Sequence, residues 1–398
     1  MTDTCDILTS GGGIAGLTAA AAFGTAGFKV ICVDPTPPVT DGAADGADLR
    51  STAMLQPARA LLERAGLWKA LAHHAAPLQV MRIIDAGGAE ATPRVTKEFD
   101  ASEISEQPFG WNFPNWLLRR EMLTRLEQLD NVDFRASVST KQLFTREGSA
   151  KVTLSDGTRV QTKLVIAADG RGSAMRAASG IGVHTKRYGQ KALVFAVTHP
   201  IPHENVSTEI HRTGGPFTLV PLPDRDGQPC SAVVWMDDGR LAQDRMDMDV
   251  AAFEEEASFR SCHHFGPLTL VSRRQVWPII TQHAERLNAE RVALIAEAAH
   301  VMPPIGAQGL NMSLNDIATL LDLAEERRGG LGDAVMLDAY HKARYGDITL
   351  RVRGIDLLNR ASQASSTLAR DARAAGLGAL YGAAPVRKLL MQMGLGMR

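Results

Sequence analysis

The sequence predicts an α/β fold joined to a β-rich insert and closed by a C-terminal helical tail. Three observations predict it. A strand, a glycine turn, a helix and a second strand follow one another within Asp6–Val33. Short strand patterns separated by Pro/Gly turns fill Tyr188–Met236. From Gly332 onward the pattern is mostly helical, with pauses at Gly376–Gly382 and Pro385. The 398 residues allow about two to four domains. A content of 45% hydrophobic and 22% charged residues excludes disorder and fibrous repeats.

The elements read as follows. Asp6–Thr9 is a short strand ending in Ser10 and three glycines. Ile14–Gly24 is Ala/Leu-rich with helical spacing, Gly27 breaks it, and Phe28–Val33 is a strand. Thr36–Asp48 is a Pro/Gly/Asp loop, and Ala53–Leu71 has helical periodicity with a stop at Gly66. Gln79–Asp85 reads as a strand and Leu118–Leu129 as an amphipathic helix. Val132–Phe134, Ser137–Leu143 and Lys151–Leu154 are strands, and Asp156-Gly157 turns the chain into Arg159–Ile166. In the insert, Ala192–Thr198, Thr208–His211, Phe217–Val220 and Ala232–Met236 are strands, followed by a helix over Val250–Phe259. Arg291–Ala296 is a β-rich run, and a helix begins near Gly309.

A net charge of -1 argues against a nucleic-acid binder, which needs a basic stripe. No apolar stretch reaches the roughly 18 residues of a membrane span. The opening MTDTCDILTS has no basic region before its apolar residues and is not a signal peptide. Cys5, Cys32, Cys230 and Cys262 are scattered, without a C-x-x-C, so no disulfide framework or metal site is expected. A cytoplasmic protein is the expectation, with contact at the inner face of a membrane left open.

Gly11, Gly13 and Gly16 form G-x-G-x-x-G between strand and helix, the mark of a Rossmann-like dinucleotide site. The first glycine permits the turn, the second lets backbone N–H groups approach a pyrophosphate, and the third lets helix pack on strand. Asp34 ends the second strand, 18 residues after Gly16, placed to accept from a ribose. This pattern alone fits NAD or FAD. Two later segments bear on the choice: LVIAADGRGSAMR, Leu164–Arg176, and RVALIAEAAHVMPPIGAQGLNMSLNDI, Arg291–Ile317.

These three elements in this order resemble the aromatic-ring hydroxylase flavoproteins, the p-hydroxybenzoate hydroxylase-like group A monooxygenases. HVMPPIGAQGLNMSLND and the tail APVRKLLMQMGLGMR are similar more narrowly to the ubiquinone-biosynthesis hydroxylases of the UbiH/UbiF type. The resemblance implies a discontinuous Rossmann-like FAD domain (1–76, 111–183 and 276–332), a sheet-rich substrate domain (77–110 and 184–275) and a helical region (333–398). It implies that Gly11, Gly13, Ile14, Ala15, Gly16 and Asp34 hold the ADP half of FAD. Arg50 and Arg119 or Arg120 would add cations, and Asp169-Gly170 match an element implicated in FAD and NAD(P)H contact. Glu297 matches the acid that holds ribityl and phosphate hydroxyls. Pro303, Gly306, Gln308, Gly309, Leu310 and Asn311 would line the flavin ring. The family's usual Gly-Asp is Ala296-Glu297 here.

The implied chemistry is hydroxylation of a polyprenyl phenol in ubiquinone synthesis through a flavin C4a-hydroperoxide formed with O2. NAD(P)H or a reductase would supply electrons, and other ubiquinone-synthesis enzymes are implied partners. The alternatives are a monooxygenase of a small soluble aromatic, a low-activity flavin-binding assembly subunit, and a flavin reductase of prenyl double bonds. No residue identifies itself as the base for a phenol. His211 and Tyr188 are candidates, and His300 matches a family histidine. Arg273-Arg274 face substrate or cofactor, or merely edge a strand, and Trp277-Pro278-Ile279 resembles a Tyr-Pro-Leu near the flavin. The His73-His74 and His263-His264 pairs diverge as neighbours and suit no metal. Leu377–Met397 is basic and apolar enough to lie in a membrane interface.

Overall fold

The computed structural model describes residues 2–87, 92–363 and 367–395. Thr2–Ser10 is the centre of the first sheet, parallel to Val30–Asp34 on one side and to Arg159–Ala167 on the other. Val132–Ala136 extends it beyond Val30–Asp34, and Val292–Leu294 beyond Arg159–Ala167. The crossover helix Ile14–Thr25 is buried on every side, which its alanines permit. Helices Asn115–Glu127 and Gln308–Glu326 pack on it.

The glycines set this packing. A Cβ on Gly16 would lie 1.9 Å from the Gly11 carbonyl oxygen, so helix and strand meet as bare backbone. Gly11 itself has φ +106° and a would-be Cβ 2.3 Å from the Ala168 oxygen, which excludes any side chain.

The second sheet is antiparallel except for one parallel pair, Val80–Asp85 beside Val206–His211. Its other face carries a separate core of Phe195, Phe217, Trp235 and Phe253 beneath the helix Val250–Arg260. Gln275–Ala284 and His300–Val301 pair into this sheet, so the expected boundary at 275/276 runs through a strand.

Two elements differ from the sequence expectation. Ala53–Leu71 is not one helix. Ser51–Leu55 is a strand against Gly110–Pro114, one helix runs over Gln56–Arg64, Gly66 breaks it at φ +72°, and a short second helix covers Trp68–Leu71. Pro57 lies in the first turn of the longer helix, where a missing N–H costs nothing; further inside it would break the ladder. In the tail, the helix Thr367–Gly382 passes through Gly376 and Gly378 without a pause. The break comes at Ala383, and Pro385 opens the helix Ala384–Leu395. Residues 396–398 of the expected interfacial tail lie outside the described residues.

The helix Gln308–Glu326 joins both halves. Its Asn311 accepts from the Leu55 N–H at 2.8 Å and donates to the carbonyls of Ala53 and Ala307, both at 2.7 Å. Its Asp316 has no exposed surface, is 2.7 Å from His300 Nε2 and accepts from Arg344 Nε at 2.8 Å. Arg344 belongs to the long helix Ala334–Ser362.

Candidate active site

Between the two sheets lies a cavity of about 540 Å³. Gly13, Ile14, Ala15 and Gly16 wall one end with the start of the crossover helix, whose N–H groups and dipole suit phosphate. Around Gly13 nothing lies within 4 Å of a would-be Cβ, so the space above this backbone is open.

Arg50 and Arg119 share that end with Asp48, Thr52 and Asn115. Arg50 donates to Asp48 through Nε at 2.8 Å and Nη2 at 2.7 Å, and its guanidinium lies 4.5 Å from the centre of the Trp277 ring. Asn115 donates to Asp48 at 3.0 Å and accepts from Thr52 at 2.8 Å. Burial pushes the Asp48 carboxyl up, but hydrogen bonds and charge from Arg50, then Asn115 and Arg119, outweigh it and hold it below the ordinary value. Asp48 therefore stabilises the fold above the unfolded carboxyl pKa, and this is lost as pH falls through the lower folded value. Arg119 Nε is buried without a partner, a donor a bound anion would satisfy.

Opposite stands Glu297, half-exposed and 3.4 Å from Arg171 Nε. Gly306, Gln308, Gly309 and Leu310 close this wall with the start of the helix Gln308–Glu326. The far end is lined by Leu55, Leu78, Met81, Phe109, Val220 and Val234, with Ser207, Glu209, Thr218 and Asn112 as its polar members.

Gly170 also lines the cavity, whereas Gly11, Asp34, Arg120, Asp169, Pro303 and Asn311 do not. Gly11 shapes the turn beneath it. Asp34 accepts from the N–H groups of Gly12 at 2.6 Å and Thr36 at 2.8 Å, fixing the glycine loop. Asp169 caps the helix after it through Ser173 and the Met175 N–H. Arg120 pairs with Glu121 and leaves the cation position to Arg119. Pro303 is replaced on the wall by Pro304, and the Asn311 side chain is spent on backbone.

Tyr188 lies off the cavity, donating to Asp356 and bonded to Thr281; burial, then Asp356, pushes its pKa up to about 12. Arg273 binds Asp45 and the Ala44 carbonyl, and Arg274 binds the carbonyls of Arg245 and Met248, so both tie loops. Asp48, Asn115 and Glu209 were not singled out in the sequence. Asp48 could have been, standing two residues before Arg50 in the loop after the acid strand.

A family model described as an FAD binding domain matches residues 4–349. The chain belongs to this FAD-binding family. It is an FAD-dependent monooxygenase, grouped with the ubiquinone-biosynthesis hydroxylases. The ubiquinone hydroxylase UbiL of Rhodospirillum rubrum is 32% identical over 394 residues, covering 98% of this chain and 89% of that protein. The 3-demethoxyubiquinol 3-hydroxylase of Escherichia coli is 26% identical, covering 98% of each. Among solved structures, p-nitrophenol 4-monooxygenase PnpA of Pseudomonas putida superposes with TM-score 0.79 at 18% identity, covering 100% of this chain and 99% of that one. The residues present fit FAD: an open glycine-walled end, an orphaned buried donor on Arg119 and a second helix N-terminus across the cavity.

The position where the family pattern carries glycine is held here at strain. Ala296 has φ +54° and lines the cavity. A left-handed non-glycine residue costs about 1–2 kcal/mol, and a new glycine returns about 0.4–1 kcal/mol to the unfolded chain. Ala296→Gly is therefore expected to stabilise the protein by up to about 1 kcal/mol, raising Tm by about 1–2 °C. A fall in Tm would show that the backbone there is not strained. Gly13→Val is expected to leave the melting temperature of the FAD-free protein unchanged while abolishing flavin retention, because its side chain enters only the open space. A yellow variant with normal flavin content would refute this use of the glycine loop.

Proposed function

We propose that this flavoprotein hydroxylates the aromatic ring of a polyprenyl phenol in ubiquinone synthesis, with O2 as oxidant and NAD(P)H or a reductase partner as electron donor. The two-ended cavity carries the reading: a polar end walled by glycine backbone and cations, and an apolar end roofed by the second sheet. The names of the relatives from Rhodospirillum rubrum and Escherichia coli support the substrate class.

When bound, the flavin supplies the oxygen-activating chemistry. The segments around Gly13–Gly16, Arg50 and Arg119 would hold its phosphates, and Glu297 would accept from its hydroxyls. The N-terminus of the helix Gln308–Glu326 would offer partial positive charge to the reduced ring. Leu55, Leu78, Phe109 and Val220 keep water from the reacting ring. The sheet-rich segments hold the substrate and the discontinuous α/β segments hold FAD.

The enzyme takes its substrate from a bilayer surface. On the long helix, Leu350, Leu357 and Leu358 are 64%, 69% and 57% exposed, opposite its buried face of Ile348, Val352 and Ile355. On Ala384–Leu395, Val386, Leu389, Leu390 and Met393 form an outward stripe at spacing i, i+3, i+4, i+7. That helix meets the cavity rim, where Gln308 donates to the Gly394 carbonyl at 2.9 Å. It carries exposed Lys388 and no acid, its Arg387 being tied to Glu103 at 2.7 Å, and exposed Arg353 and Arg360 belong to the neighbouring stripe, Arg360 beside Asp356; Lys388 and Arg353 suit anionic lipid. No described helix is long and apolar enough to cross a membrane.

A strain lacking the gene is expected to accumulate a prenylated phenol short of one ring hydroxyl; an unchanged quinone profile would sink the proposal. The FAD-loaded protein is expected to co-sediment with vesicles of phosphatidylcholine and phosphatidylglycerol. Leu389→Ser combined with Leu390→Ser should weaken this by about tenfold or more while flavin content holds. Equal sedimentation of the two proteins would remove this surface from the mechanism.

A further inference from the structure

The strand Val206–His211 alternates strictly. Val206, Thr208 and Ile210 are buried, while Ser207, Glu209 and His211 are partly exposed on the other face. That face looks across the cavity, which Ser207 and Glu209 line together with Thr218, the register partner of Glu209 on the next strand. Six ionisable residues line the cavity among the described residues: Asp48, Arg50, Arg119, Glu209, Glu297 and His300. Of these, only Glu209 and His300 stand on strands of the second sheet, and His300 is spent on Asp316 at 2.7 Å. Glu209 is the charge on the sheet wall, among Met81, Val220 and Val234.

His211 holds it. His211 Nε2 is 2.7 Å from Glu209 Oε1, and both side chains are 15% exposed. His211 Nδ1 is buried without a partner, which selects the tautomer whose proton sits on Nε2 and is donated to Glu209. Asp85, the register partner of His211, is committed to Arg94 at 2.7 Å. Oε2 of Glu209 has no hydrogen-bond partner among the described residues.

We propose that Glu209 is the catalytic residue that receives the ring hydroxyl of the phenol, with His211 as its positioning residue. This rests on the phenol-hydroxylase reading above. As the ring carbon bonds to one oxygen atom of O2, the O–O bond breaks, the other oxygen leaves as water on the two electrons that NAD(P)H or the reductase supplies, and the O–H bond of the existing hydroxyl breaks. Its proton passes to Glu209, and its electron pair moves into the ring. When the ring carbon loses its own proton to solvent, Glu209 returns one to the carbonyl oxygen and the ring is aromatic again.

The test is binding to FAD-loaded enzyme, read as perturbation of the flavin absorbance by 2-prenylphenol and by its methyl ether. The ether fills the same space without a donor. The unsubstituted enzyme is expected to prefer the phenol by about tenfold or more, since a site built to bond a hydroxyl rejects the analogue lacking it. Glu209→Gln should keep FAD content and melting temperature and lose that preference. His211→Gln, which can donate the same bond, should retain most of it, and His211→Ala should lose part. A Glu209→Gln enzyme with undiminished preference overturns the role of Glu209 and leaves the phenol reading standing. An unsubstituted enzyme that binds neither probe, or both alike, overturns the proposal, and binding of neither takes the substrate reading with it.

Discussion

A carboxylate without exposed surface is the point on which three elements turn. Asp316 lies between His300 and Arg344, one on the short strand that leads into the Pro/Gly loop and the other on the long helix. A buried charge survives only when paired and bonded, and removing one partner of such a pair costs about 3–5 kcal/mol in general. These three side chains therefore hold their backbones in one arrangement. The start of the helix Gln308–Glu326, one turn and more away, is fixed against the cavity as a consequence. Asn311 adds the same constraint on Ser51–Leu55, so the loop that delivers Asp48 and Arg50 is anchored to the same helix.

Preorganisation continues at the phosphate end. Arg50 does not wait as a loose cation. It is oriented by two bonds to Asp48 and stacked on Trp277, and Asp48 is oriented in turn by Asn115. Such a group loses little freedom when an anion arrives, which is where preformed electrostatics gain over flexible charge.

The glycine turn was legible in sequence because part of its constraint is steric: Gly11 and Gly16 have no room for a Cβ, while Gly13 faces open space. Asp34 was legible for its place at a strand end, but the partners it has are the Gly12 and Thr36 N–H groups of the loop rather than the cavity. The strand Ser51–Leu55 was not legible, because its partner Gly110–Pro114 lies more than fifty residues on and its apolar spacing also suits a helix. Arg119 and Arg120 could not be separated without the packing of their helix, although adjacent residues there point about 100° apart. His211 was noticed as a titratable residue and Glu209 was not, two positions away. The period of two in Ser207, Glu209 and His211 was the signal that places both on one face.

The cavity separates its charges by function. At the phosphate end the residues make a cationic field with a compensated acid beneath it. The sheet end is mostly apolar, with Ser207, Thr218 and Asn112 as neutral polar members and Glu209 as its carboxylate, and a carboxylate on such a wall is costly unless something bonds it. His211 supplies that bond from outside the cavity lining, at no loss of space for substrate. A ring seated between the two ends would meet positive potential on one side and a proton acceptor on the other. In the proposed reaction that polarity would favour movement of electron density from the ring hydroxyl into the ring. It follows from side chains set before any ligand enters.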